Sequence, residues 1–437
     1  MYKGGIVLEF LNPNEKIRLM RKKFRVNQSE LENVNMTRAL ISMMESGKRN
    51  VSKASSKLLA ERFNEIARRI SVNLNLDEEY FSRTPEEDAR YYCENELKDK
   101  EELSHKELNE LIEIEKKFDL KDLLARCYKI AGAMYNKEKD YTNAFIELNN
   151  ALGLYKELKD EQSQITIYLE LGSCKYMKGS YEDASLYYKN ARTYALKCNN
   201  YRDYSRSSRS LALCYARMEK YDECLSIIDN EILNSSITPD EDILIVAKSD
   251  KANVLSLTGK STEALKECFE LIELIKNKNN DQYNAMLSLL YNNIGEYYYN
   301  TKDYEKSLQY LSQSQSLKLR YNKEKLSTTL NLKAKVLYAQ GLLEESLMLF
   351  DLATEMAEQY NRLDLLLEAY KELAEVLSEN KLFDKLKQSM ERLFETLESS
   401  DIKDGKRFAL YKLVEVANEQ GDQTLCNNYL KQLKKFI

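Results

Sequence analysis

Tryptophan is absent from this 437-residue chain, and histidine (1), proline (3) and glycine (12) are scarce. So few Pro and Gly argue against a turn-rich β architecture and leave long helices as the natural reading. A lone histidine, His105, removes most His-based catalytic and zinc arrangements, and its surroundings read as a solvated helix surface. No apolar run approaches the ~20 residues needed to span a bilayer. The Ile6-Val7-Leu8 patch is too short for a signal-peptide core and carries no cleavage pattern, which implies a cytoplasmic protein. Eight cysteines are present, but no CxxC spacing occurs among them. They read as buried, reduced core thiols acting as small apolar residues. There is no phosphate-cradling glycine loop, nucleophile elbow or metal-ligand spacing, so the sequence implies no enzyme, no cofactor and no metal.

The charge that is present is unevenly placed. Between Glu15 and Arg62 twelve Lys or Arg face five acids, a surplus of seven, although the whole chain carries -5. A small basic head on a large acidic body is the charge pattern of a nucleic-acid module joined to a regulatory domain.

Most of the body is repetitive. Gly132, Gly172, Ala212, Ala252, Gly295, Ala334, Ala374 and Val414 recur about every forty residues. Each is followed twelve positions later by Ala144, Ala184, Cys224, Ala264, Ser307, Ser346, Leu386 or Cys426. Only Val414 and Leu386 depart from Gly, Ala, Ser or Cys. Small residues at a fixed period, placed where two helices must approach closely, mark a helix-turn-helix solenoid, an architecture used as a binding surface. Turn signals such as Lys139-Asp140-Tyr141, Gly179-Ser180-Tyr181 and Lys302-Asp303-Tyr304 punctuate the units.

In the head, Asn14 to Lys23 predicts a helix capped by Asn14, with Ile17 and Met20 facing inward. A second helix starts at Gln28 behind Asn27. Thr37 caps a third, Arg38 to Glu45, with Leu40, Ile41 and Met44 as its apolar face, and Gly47 ends it in the left-handed conformation. Residues 52–71 form a long amphipathic helix with Leu58, Leu59, Phe63, Ile66 and Ile70 on one side. The polar stretch before Pro85 reads as an inter-domain joint, and residues 86–120 as one further helical hairpin. The expected domains are 1–72, a helix-turn-helix with its connector helix; 73–85, a linker; and 86–437, the repeats.

Two segments carry resemblances. Gln28-Ser29-Glu30-Leu31, Ile41-Ser42 and Glu45-Ser46-Gly47-Lys48-Arg49-Asn50 resemble the Xre/lambda-repressor helix-turn-helix. The usual turn glycine is replaced by Asn33-Val34-Asn35-Met36, where Asn tolerates the left-handed backbone. Residues 291–307 are close to the tetratricopeptide consensus. Head and repeats together resemble the RRNPP group of peptide-sensing regulators of Gram-positive bacteria, of the PlcR- and NprR-like kind.

The resemblance implies an all-α fold: an N-terminal helix-turn-helix domain, then a right-handed superhelical solenoid of about eight to nine tetratricopeptide-like helix pairs. It also implies a homodimer that binds double-stranded operator DNA under the control of a short signalling peptide. Gln28, Thr37, Arg38, Ala39, Ser42 and Met43 would face DNA, with Lys48 and Arg49 on phosphates and Arg38 the best candidate for reading a base. Arg21 and Glu45 would form a buried ion pair between the first and third helices.

In the groove, Asn253, Asn292, Asn293 and Asn331 would grip a peptide backbone, since an amide both donates and accepts. Arg206, Arg209, Lys335 and Lys371 would hold a carboxylate, and Glu296, Tyr299 and Tyr338 would complete the site. The alternative function is a helix-turn-helix regulator whose repeats bind a protein partner.

Overall fold

The computed structural model describes residues 9–99, 103–234, 240–278, 280–398 and 402–436. The Ile6-Val7-Leu8 patch lies outside them. Among the described residues the regular elements are helical, apart from one antiparallel bridge between Asn33 and Met36. None of these helices is long and apolar enough to cross a membrane. The chain divides into two compact units, one through Ile227 and one from Ile228.

The first unit holds α1 (Pro13–Phe24), a single 3₁₀ turn (Gln28–Leu31), α2 (Arg38–Glu45) and α3 (Lys53–Arg69). These are followed by α4 (Pro85–Asp99), α5 (His105–Lys117), α6 (Lys121–Lys137), α7 (Tyr141–Glu157), α8 (Glu161–Met177), α9 (Tyr181–Lys197), α10 (Tyr201–Arg217) and α11 (Tyr221–Ile227). The second unit opens with a π-helical stretch, Ile228–Leu233. It continues with α12 (Glu241–Leu257), α13 (Ser261–Ile275), α14 (Asp281–Asn300), α15 (Tyr304–Tyr321), α16 (Leu326–Ala339), α17 (Leu343–Gln359), α18 (Leu363–Glu379), α19 (Phe383–Thr396), α20 (Lys403–Glu419) and α21 (Gln423–Leu433).

From α4 onward the helices form nine consecutive pairs among the described residues. The repeat is finer than the forty-residue spacing of small residues shows. Helices α6 to α10 start at 121, 141, 161, 181 and 201, so seventeen helical residues alternate with a three-residue turn. Each turn needs one left-handed residue to reverse the chain, and Lys139, Lys159, Gly179, Asn199 and Glu219 supply it at the same twenty-residue spacing. Asp140 and Asp160 then cap the next helix by accepting from the N–H of Asn143 and Ser163.

The small residues do what the periodicity implies. A Cβ added at Gly132, Gly172 or Gly295 would stand 2.6 Å from Leu148, Tyr188 or Leu311, sixteen residues further on. Serine at the second small position has an additional reason. Ser307 Oγ donates to the Gly295 carbonyl at 2.7 Å and Ser346 Oγ to the Ala334 carbonyl at 2.9 Å, which ties the two helices of a pair together. All eight cysteines are free thiols; six are buried, while Cys198 and Cys426 are half-buried.

In the head, Ile17, Met20, Leu31, Met36, Ile41, Met44, Leu59 and Phe63 form a closed core. Three local expectations change. The first helix begins at Pro13, not at Asn14: proline is pre-set for the first helical position, and Glu15 accepts from the backbone N–H of the true cap, Asn12. The second helix is reduced to the 3₁₀ turn Gln28–Leu31. Beyond it, Glu32 spends its carboxylate on the N–H of Arg38 and Asn33 spends its amide oxygen on the N–H of Asn35, so the chain turns instead of propagating helix. No residue of that turn is left-handed; reciprocal Asn33–Met36 hydrogen bonds of 3.1 Å close it.

The stretch after α3 packs on the head. Asn64 exchanges two hydrogen bonds with the backbone of Leu76, and the fully buried Phe81 lies 5.3 Å from Phe63. Arg83 forms bidentate contacts with Asp77 and a further bond to Asp88. His105 is also less free than a solvated surface residue. Its Nε2 lies 2.8 Å from Glu138 and its ring 4.6 Å from that of Tyr135, because α5 starts beside the end of α6.

Candidate functional site

The head presents one helix face. Ala39, Ser42 and Met43 fall at helical spacing on the side of α2 opposite its buried Ile41 and Met44, and all three are exposed. Thr37 caps α2 by accepting from the N–H of Leu40. Thr37, Arg38, Lys48 and Arg49 are likewise exposed. Behind this face the Arg21 guanidinium grips Glu45 with two bonds of 2.8 and 3.0 Å, the ion pair implied by the resemblance. Burial pushes the Glu45 carboxyl up, but hydrogen bonds from Arg21 and Gln28 outweigh it and hold the carboxyl below its ordinary value. Gln28 is half-buried and spends an amide hydrogen on Glu45 at 2.7 Å.

A second constellation lies in the second unit, on the first helices of successive pairs. Asn293 of α14 donates to Asn253 of α12 at 3.3 Å. Asn293 also lines a cavity of about 280 Å³ with Glu296, Tyr297, Asn300 and Ser256. Lys335 of α16 sits 5.6 Å from the ring centre of Tyr299 and 2.8 Å from Glu372 of α18, joining three helices. Tyr338 donates to Glu379 at 2.6 Å and accepts from Asn380 at 3.0 Å. Lys371 is exposed, with its ammonium 5.9 Å from the ring of Phe408. Asn331 is buried, and its carbonyl oxygen has no hydrogen-bond partner.

Two of the residues expected from sequence to hold a peptide lie in the first unit, both on α10. Arg206 pairs with Asp203 at 2.8 Å, and Arg209 is half-buried. The neighbouring Glu170 of α8 is raised by burial, against the pull of Lys129 and Arg206.

Sequence reasoning missed the polar cluster behind Asn292. Lys318 is fully buried and donates to Asn292 Oδ1 at 3.1 Å and Thr328 Oγ1 at 2.7 Å. Thr329 donates to the same Asn292 oxygen at 2.7 Å. Superposing the repeats would have exposed it, because Lys318 occupies a position held by the uncharged, buried Tyr155, Ala195, Ile275, Ala357 and Leu397 in five other units.

A tetratricopeptide-repeat family model matches residues 285–359. Response regulator aspartate phosphatase J of Bacillus subtilis (strain 168) is 29% identical over 147 residues, which are 33% of this chain and only 38% of the phosphatase. Among solved structures, the apo form of the quorum sensor NprR from B. thuringiensis gives a TM-score of 0.51 at 15% identity, covering 80% of this chain and 99% of that one. A signal transduction ATPase with a tetratricopeptide-repeat sensor, from Pyrococcus horikoshii, gives 0.52 at 14% identity, covering 97% and 72%. These findings place a tetratricopeptide repeat at residues 285–359, within a fold of stacked helix pairs. That fold is similar to the fold of NprR over four fifths of the chain.

Proposed function

We propose that this chain is a cytoplasmic, homodimeric regulator of transcription that binds operator DNA through its head and is controlled by a short signalling peptide held on the inner helices of its repeats. The observation that carries the reading is the α2 face. Arg38, Ala39, Ser42 and Met43 are exposed together on a helix whose back is locked by Arg21 and Glu45, with Lys48 and Arg49 beside it. A surplus of positive charge around an exposed helix fits phosphates and a major groove. The likeness in fold to a quorum sensor and the paired amides of Asn253 and Asn293 support the peptide half of the reading. The chemistry proposed is binding alone, without catalysis.

A second reading, a repeat surface that holds a protein partner instead of a peptide, draws support from the likeness to the aspartate phosphatase. Fluorescence anisotropy on labelled DNA from the protein's own upstream region, at two salt concentrations, tests both. Specific binding altered by one peptide from a neighbouring small reading frame is the expected result. Specific binding indifferent to every such peptide favours the protein partner, and no specific binding removes the head from the proposal.

A further inference from the structure

Lys318 breaks the rule of its own repeat. It is the fifteenth residue of α15 counted from Tyr304. The matching residues after the starts of α7, α9, α13, α17 and α19 are Tyr155, Ala195, Ile275, Ala357 and Leu397, all buried and able to pack without a charge. Lys318 is equally buried, yet among the described residues no carboxylate stands within ion-pair distance of it. The charged group it feels is Lys325, on the 3₁₀ turn Lys323–Lys325 just ahead of α16, and that repels. A buried ammonium without a counter-ion is costly even when hydrogen-bonded.

The regular spacing of the helices fails at the same place. Helix α15 starts twenty-three residues after α14, whereas α12, α13 and α14 start twenty apart. The added length of α14 and the 3₁₀ turn before α16 surround a buried polar network. Ser314 donates to the Ser288 carbonyl at 2.7 Å and lies 3.1 Å from the Thr329 hydroxyl. Thr329 and Lys318 both donate to the carbonyl oxygen of Asn292. Two donors on one oxygen settle which end of the amide is which, because the reverse orientation would set N–H against ammonium.

Asn292 lies one helical turn before Glu296 and two before Tyr299, on the stripe of α14 that reaches Lys335. We infer that Lys318 is a positioning residue for this face: with Thr329 it holds the carbonyl end of Asn292 inward, so that Asn292 offers a bound peptide only N–H donors and selects its carbonyl groups. The inference rests on the peptide-groove reading above and specifies one of its contacts. Burial, seconded by Lys325, brings the Lys318 ammonium down to about 7, so the hold weakens when that proton leaves. The other groups facing it, Asn292 on α14 and Thr328 on α16, do not titrate.

The test uses the full chain and a heptapeptide selected from a displayed random library, retained only if Asn293→Ala abolishes its binding. Calorimetry from pH 6 to 9 is run on the wild type, Lys318→Met and Asn292→Asp, with melting temperatures alongside. Lys318→Met, apolar like its counterparts, is expected to melt no lower than wild type. It should bind about three- to tenfold more weakly at pH 6, the size of one hydrogen bond. Wild-type affinity should fall toward that of Lys318→Met as pH rises, while the variant's affinity stays flat. Asn292→Asp, which gives Lys318 a counter-ion and removes the amide donors, should melt higher and bind more weakly.

Unchanged affinity and an unchanged pH profile in a normally melting Lys318→Met overturn the inference, as does a loss of affinity in Lys318→Met that merely follows a lower melting temperature. A selection that yields no Asn293-dependent peptide overturns the peptide-groove reading itself, and is told apart by failing before Lys318 is tested.

Discussion

Lys16 of α1 and Asp88 of α4 meet at 2.5 Å inside the first unit, both almost fully buried. The same ammonium donates to the carbonyls of Tyr80 and Arg83, and Arg83 returns to Asp88 at 2.7 Å. One lysine therefore fastens the head to the first repeat helix through three oxygens. Asp88→Asn leaves Lys16 and Arg83 without their shared carboxylate, and the expected loss is about 3–5 kcal/mol. Urea unfolding of the first unit measures it. The exposed pair Lys53–Glu79 is the control, with a far smaller expected effect because water screens it.

Gly295 is expected to resist replacement even by alanine. Alanine favours helix over glycine by up to ~1 kcal/mol, yet the added Cβ would lie 2.6 Å from Leu311 Cγ. Overpacking of that kind costs roughly 1–3 kcal/mol. Gly295→Ala should lower the melting temperature and Gly295→Ala with Leu311→Ala should recover part of the loss, whereas Gly153→Ala, with nothing near its Cβ, should be neutral or stabilising.

Stability should pass through a minimum near neutral pH. Glu115 is buried, with one oxygen unpartnered, and burial raises it to about 7. Between its ordinary value of 4.5 and about 7 the folded chain binds the extra proton, so stability falls as pH rises. Lys318 is lowered from 10.5 to about 7. Between those values the unfolded chain binds the extra proton, so stability rises with pH. Each contribution is on the order of a few kcal/mol. Thermal melts from pH 4 to 10 should show the falling limb flattened in Glu115→Gln and the rising limb flattened in Lys318→Met.

On the head, Arg38→Ala should abolish discrimination between operator and unrelated DNA while leaving the melting temperature intact, since its side chain is exposed and serves no core contact. Lys48→Ala and Arg49→Ala should weaken all sequences alike and each reduce the salt slope by about one. Salt-dependent anisotropy on both DNAs separates the two effects. Unaltered operator affinity in Arg38→Ala would remove α2 from the role of recognition helix.

Glutamine 28 shows how far residue type alone carries. Its place at the start of the short second element was legible, but its amide is engaged by Glu45, a contact seventeen residues away that no local pattern encodes. In the Asn33-Val34-Asn35-Met36 turn, asparagine stands in for the usual glycine as a residue that tolerates the left-handed backbone. A backbone bridge makes that conformation unnecessary, and such bonds depend on both flanks being held by the core. Among the residues expected to hold a peptide, Asn253 meets Asn293 and Lys335 meets Tyr299. Their spacing by one repeat made that legible, because a regular array turns sequence offset into spatial neighbourhood.

What the sequence determined by itself is therefore what is local or periodic: the long helices of the repeats, the small residues where pairs close, and the split of charge between head and body. Backbone sterics and the 3.6-residue helical period act within a few residues, so they are written directly in residue order. The tertiary structure alone decided which polar side chains lose water. It set Lys318 behind Asn292 and Lys16 under Asp88, because burial and partner choice depend on how separate helices pack, not on their order along the chain.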